Sequence, residues 1–125
     1  MKSILLSIKP DYAKSILSGI KKFEYRRIRS KEKINRIFIY ATAPIQKIVG
    51  EVTVEDVVSD TPTNVWNKTK VSSGMDLESF QKYFTDAEVA HAYALGEVIK
   101  YNIPKDLHEF HITKAPQSFI YIDLE

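Results

Sequence analysis

Residues 18–27 read Ser-Gly-Ile-Lys-Lys-Phe-Glu-Tyr-Arg-Arg, and their pattern decides how the rest of the chain is read. Ser18 and Gly19 close one element, and the residues from Lys22 to Arg27 alternate in the manner of a strand. A strand turns successive side chains to opposite faces, so Phe23 and Tyr25 share one face while Lys22, Glu24 and Arg26 share the other. A lone carboxylate therefore stands among cations. Either this is a charged surface strand, or it aims a carboxylate and a guanidinium at a ligand.

Upstream, Ser3–Ile8 has the composition of a buried strand. Pro10 opens a helix, with Asp11 in its first turn and Ala13, Ile16 and Leu17 at helical spacing; Gly19 suits the left-handed position just past its end. Downstream, residues 34–42 (INRIFIYAT) are apolar on both faces at their centre, as a strand crossing the middle of a sheet or barrel requires. Residues 47–58 alternate as a half-buried strand, with Gly50 at a bulge or a close approach. A helical stretch follows around Val65, Trp66 and Thr69, and Gly74 separates it from a second one. There Asp76 is the N-cap, and Leu77, Phe80, Tyr83 and Phe84 form one face.

Residues 90–101 alternate again, with small residues (Ala90, Ala92, Ala94, Gly96) along one face, so something lies close against that strand. Pro104 ends this section, a helical turn follows at Lys105–Leu107, and residues 115–124 supply the last strand. The pattern implies one α+β domain over residues 1–125, a small mixed β-barrel or curled sheet with flanking helices. Closure would remove exposed edges and leave a mouth for ligands.

The 125 residues have 44% hydrophobic and 27% charged side chains, ordinary for a soluble globular protein, and are long enough to bury a core. There is no cysteine, which excludes disulfides and thiolate metal sites. No segment has the length of a signal peptide's apolar region or a membrane span, so a cytoplasmic protein is expected. His91, His108 and His111 lack metal-ligand spacing, and neither metal nor cofactor is expected. The net charge of +2 is unevenly placed: Lys21–Lys33 holds seven basic and two acidic residues. That stripe, with Lys22, Arg27, Arg29, Lys31 and Lys33, is either a solvated strand and loop or the footprint of a polyanion.

Gly19–Arg26 also has the form G-x-K-x-x-E-x-R, after a helix and on the second strand. With the opening LSIKPDYAKSILSG, the strand end IYATAP, the strand IVGEVTVEDV and the closing PQSFIYI, it resembles the signature of the ASCH domain (activating signal cointegrator homology), a branch of the PUA-like superfamily. The resemblance spans nearly the whole chain. It implies a PUA-like barrel with a cleft beside the motif strand, and binding of RNA or of modified bases and nucleosides. It also implies comparison with amidohydrolases acting on acetylated cytidine, where the motif lysine is catalytic, helped by a threonine and a later glutamate. This sequence keeps Lys21 but has Glu24 at the threonine position and offers Ser73, with Glu78 nearby, for the later acid.

Two functions follow as expectations. In the first, the chain is a binding module for RNA or a modified nucleoside or nucleotide, lined by Lys21, Glu24, Arg26, Tyr40, Thr42, Tyr93, Gln117 and Ser118. Glu24 and Arg26 then read a base edge, Lys21 contacts a phosphate or loses its proton, and Tyr25, Tyr40, Trp66 or Tyr93 offers a stacking surface. In the second, it is an enzyme, an amidohydrolase of acetylated cytidine or a ribonuclease, with Lys21 and Glu24 as catalytic groups. Against these stand plainer roles: a partly exposed Glu24–Arg26 ion pair, Trp66 and Tyr40 as core, and Ser118 as a strand start.

Overall fold

The computed structural model describes residues 2–123. Strand β1 (Lys2–Ile8) leads into helix α1 (Pro10–Leu17), whose first turn holds Pro10 and Asp11, and Gly19 follows with φ +85°. Then come β2 (Phe23–Arg26), β3 (Ile34–Ala41) and the long β4 (Lys47–Asp60). Helix α2 (Pro62–Thr69), capped by Thr61, is followed by a 3-10 turn (Lys70–Ser72) and by α3 (Leu77–Tyr83). As expected, Asp76 caps α3, its carboxylate accepting from Ser79 N at 2.7 Å. Strand β5 (Ala90–Lys105), a 3-10 turn (Leu107–Phe110) and β6 (Phe119–Ile122) complete the order.

All six strands join one mixed sheet in the order β2-β5-β4-β3-β1-β6. β1 and β3 are parallel, and the other neighbours are antiparallel. Among the described residues no ladder joins β2 to β6, so the sheet is not closed into a barrel. β4 nevertheless shifts register against β5 between Ile48 and Gly50, Val52 and Val54, and Val54 and Asp56. Such bulges bend a strand and increase its twist, and they curl this sheet. Strand β5 also runs through Pro104 rather than ending before it. β2 covers only His91–Ala94, and beyond that stretch β5 has an edge on which a proline is tolerated.

The sheet is apolar on both faces. Ile4, Leu6, Ile8, Ile37, Ile39, Val52, Tyr93 and Leu95 bury one face beneath Ala13 and Ile16 of α1. Leu5, Phe38, Tyr40, Ile48 and Ile122 bury the other, against Leu107, Phe110 and Ile112. A third cluster seats α2 and α3: Val65, Phe80 and Phe84 lie on Tyr25, Ala90 and Ala92. Ala90 and Ala92 of β5 thus mark close packing by helices, whereas Gly96 makes room for Thr53 and Glu55 of β4.

Gly50 combines both features expected of it, a register shift and a close approach. A Cβ there would lie 2.6 Å from Ile99 O and 2.6 Å from Leu17 Cδ2. Because one obstacle is backbone, Gly50→Ala should lower stability by about 1–3 kcal/mol, the usual cost of overpacking, read as a lower urea midpoint with an unchanged m-value.

Candidate nucleotide-binding cleft

Two chain segments fix Lys21. The turn after α1 donates the Ile20 and Lys21 backbone N–H groups to Ser15 O, both at 3.0 Å, and Lys22 N donates to Ser72 O at 2.9 Å. Gly74, at φ +68°, lies directly on the Lys21 side chain: a Cβ there would meet Lys21 Cβ at 2.5 Å. The lysine is left 1% exposed. Its ammonium donates to Ser73 O at 2.7 Å and lies 4.7 Å from the Tyr25 ring centre and 5.1 Å from that of Tyr12. Burial lowers its pKa to about 8, opposed by the Glu24 carboxylate and helped by the Arg26 charge.

Tyr25 is held equally firmly. Thr69 Oγ1 donates its single proton to Val65 O at 2.7 Å, so in the 2.7 Å contact with Tyr25 the phenol is the donor. The Tyr25 ring meets Phe80 edge-on, with centroids 4.9 Å apart.

On the opposite face of β2, Arg26 Nε donates to Glu24 Oε2 at 3.0 Å and Nη2 lies 3.0 Å from the same oxygen. Nη2 also donates to Ser7 O of β1 at 2.6 Å. The side chains of this pair are 7% (Glu24) and 13% (Arg26) exposed, so it is a nearly buried ion pair and not a surface one. Among the described residues Glu24 Oε1 and Arg26 Nη1 have no hydrogen-bond partner in the protein, leaving one acceptor and one donor for a ligand.

This pair forms the floor of a cleft of about 570 Å³. Ser7, Lys9 and Tyr12 supply one wall; Met75, Ser79, Lys82 and Tyr83 of α3 and its approach supply another. Thr42 and Gln117 close one end. That end is knitted by backbone: Thr42 N donates to Ile8 O and Ser7 N to Ser118 O, both at 3.0 Å.

Of the residues expected at the site, Glu24, Arg26, Thr42 and Gln117 line the cleft. Lys21 stands behind it, screened by Tyr12 and Tyr25. Tyr40 belongs to the core on the far face, and Tyr93 is fully buried under α1, its hydroxyl accepting from Ser30 N at 2.9 Å. Neither faces the cleft, because central strands of this sheet are covered on both sides. Ser118 contributes its carbonyl to Ser7 and is not among the lining residues, and Trp66 packs on Phe80 at 4.9 Å. In the basic stripe, Lys22, Arg27, Lys31 and Lys33 are exposed and Arg29 is half-buried. Arg27 donates to the Tyr83 and Thr85 carbonyls at 3.0 Å, and Arg29 reaches Ser59.

Lys9, Tyr12, Lys82 and Tyr83 were not among the expected site residues. For Lys9 and Tyr12 the signal lies in IKPDY itself, where a lysine and a tyrosine flank a helix start beside the motif strand. Nothing in the α3 pattern distinguishes Tyr83 from core.

These features, a curled mixed sheet with an open seam and a cleft built on its G-x-K-x-x-E-x-R strand, define an ASCH-type domain. The ASCH domain family matches residues 6–105, and the chain belongs to that family. It is 30% identical over 97 residues to an ASCH domain-containing ribonuclease of Zymomonas mobilis, covering 77% of this chain and 66% of that protein. Over 121 residues, 96% of this chain, it is 30% identical to ATP synthase subunit alpha and 29% identical to large ribosomal subunit protein uL22 of Ureaplasma parvum. The chain spans only 15% and 39% of the lengths of those two relatives. The crystal structure of ASCH from Zymomonas mobilis superposes with a TM-score of 0.89 at 27% identity, covering 98% of this chain and 88% of that one. The N-terminal domain of Staphylothermus marinus McrB shares the fold, with a TM-score of 0.55 at 15% identity over 87% of this chain and 78% of that one.

Two outcomes follow. Lys21 keeps its proton in the unfolded chain up to about pH 10.5 but in the folded one only to about 8. Unfolding therefore takes up a proton between those values, and stability rises with pH across that window. The stability of wild type minus that of Lys21→Met should climb from about pH 8 to about 10.5 and be flat below 8, as read by urea unfolding at each pH. Arg26→Ala, which strands the Glu24 carboxylate, should cost about 3–5 kcal/mol, and the double variant Glu24→Gln/Arg26→Met less than that.

Proposed function

We propose that this chain binds single-stranded RNA, or a modified nucleoside or nucleotide, in the cleft between β1, β2 and α3. The observation that carries this reading is the nearly buried Glu24–Arg26 pair at the cleft floor, with one carboxylate oxygen and one guanidinium nitrogen left for a base edge. Such fixed donors and acceptors discriminate between bases by about 1–3 kcal/mol per bidentate contact. Thr42 and Gln117 serve as end contacts, Tyr12 and Tyr83 as stacking surfaces, and Lys22, Arg27, Arg29, Lys31 and Lys33 as the track for phosphates. Lys21 supports the site from behind. The reading treats the sheet as a PUA-like barrel left unsealed at this seam, Arg26 bridging the gap to Ser7. Membership of the ASCH family and the ribonuclease name of the Zymomonas relative favour RNA as the polymer. A cytoplasmic setting fits this reading, and no helix among the described residues is long and apolar enough to cross a membrane.

A second reading is favoured by that relative's name and by the lowered pKa of Lys21: a ribonuclease or a hydrolase of a modified base using Lys21 and Glu24. It requires Tyr12 or Tyr25 to move and expose the ammonium.

Fluorescence anisotropy of a labelled single-stranded RNA at several salt concentrations tests the first reading. About five phosphate contacts give a log–log salt slope of roughly −3.5. Glu24→Gln should weaken binding about 5- to 100-fold while leaving that slope unchanged. No binding at low salt overturns RNA as the ligand. Product formation from RNA or acetylated cytidine, lost in Lys21→Met, would establish the enzyme; equal turnover by the variant would dismiss Lys21 as catalytic.

A further inference from the structure

The cleft carries an imbalance of charge that the base-reading floor does not explain. Among its described lining residues the one carboxylate, Glu24, is already neutralised by Arg26. Lys9, at the corner between β1 and α1, and Lys82, in the last turn of α3, also line it, and both are exposed. Neither forms an ion pair among the described residues. Two uncompensated ammonium groups thus stand on different elements around one polar floor. A neutral nucleoside leaves both without a counter-charge, and a mononucleotide has charge enough but a single phosphate group to offer two ammonium groups on different elements. A nucleotide within a chain, with a phosphate before and after its sugar, satisfies both.

The floor adds a second restriction. In an RNA duplex the pairing edge is occupied and the deep, narrow major groove shuts side chains out, and Glu24 and Arg26 lie nearly buried at the base of the cleft, so they can read only an unpaired base. The cleft's volume of about 570 Å³ falls in the range that encloses one small molecule, roughly 300–1,000 Å³, and so takes a single nucleotide.

We infer that the cleft takes one unpaired nucleotide from within an RNA strand, with the two phosphates flanking it held by Lys9 on one wall and Lys82 on the other. This inference rests on the RNA-binding reading above and adds to it a strand path across the cleft. It makes Lys9 and Lys82 binding residues with separate phosphates, and it predicts that free nucleosides are poor ligands.

The test is calorimetric or NMR titration at low salt with four probes for each base: the ribonucleoside, its 5′-monophosphate, its 3′-monophosphate and its 3′,5′-bisphosphate. Each phosphate should tighten binding about three- to five-fold, the size of one partly exposed charge pair, and the bisphosphate should bind best. Lys9→Gln should erase the gain from one phosphate and Lys82→Gln the gain from the other, with the nucleoside's own affinity unchanged in both. Both lysines are exposed, so neither variant threatens folding. If the nucleoside binds as tightly as the bisphosphate, or both variants lose the same phosphate's gain, the strand path is overturned while the base-reading cleft stands. If no probe binds wild type and labelled RNA does not either, the RNA-binding reading itself fails.

Discussion

The guanidinium of Arg26 holds the site together. Among the described residues the sheet ends at β2 on one side and does not close on β6, which leaves a seam between β2 and the end of β1. Arg26 crosses it, donating to Glu24 on its own strand and to Ser7 O of β1. A hydrogen-bonded ladder would have satisfied backbone groups but filled the gap. One side chain spans it and leaves room beside itself, and that room is the cleft. The cost is desolvation of a carboxylate and a guanidinium, which their mutual attraction repays only when geometry is good and the remaining polar atoms find partners. Two of those atoms, Glu24 Oε1 and Arg26 Nη1, find none among the described residues. The arrangement is therefore complete only with water or a ligand in place.

Lys21 poses the same problem in another form. A fully buried ammonium with one carbonyl partner is expensive, and two aromatic faces offset part of the cost through their negative quadrupoles. That cost appears as the lowered pKa. Gly74 is what allows it geometrically, since any side chain there would occupy the space of Lys21 itself. Tyr12 and Tyr25 rest on this ammonium and also line the cleft, so Lys21 supports two of the cleft's residues from behind.

Much of this was legible in the sequence, for reasons particular to each element. Pro10 and Gly19 bracket α1 because one lacks the amide a helix start does not need and the other tolerates positive φ. The alternation from Lys22 to Arg27 placed Glu24 and Arg26 on one face, where they do pair. Tyr40 and Tyr93 were misplaced toward the cleft because alternation gives a side chain's face and not what covers that face. Both strands lie inside the sheet, and α1 on one side and the segment around Phe110 on the other bury their tyrosines. The seam itself was not legible either. Whether a curled sheet closes depends on register between strands far apart in sequence, and no local pattern in β2 or β6 encodes it.

The site divides its work by burial. Charges that are held rigid and mostly out of solvent, as Glu24 and Arg26 are, act strongly on a neighbour but only over a short range and in one geometry, which suits discrimination between base edges. Charges on exposed flexible stems, as on Lys9, Lys82, Lys22, Lys31 and Lys33, act weakly and over a Debye length, which suits attraction of a polyanion from solution. A pocket for a neutral small molecule has no use for the second set, and a nonspecific polyanion-binding surface has no use for the first. Glu24 and Arg26 on the one hand and Lys9 and Lys82 on the other line the same cleft, so both kinds of charge act there on one occupant.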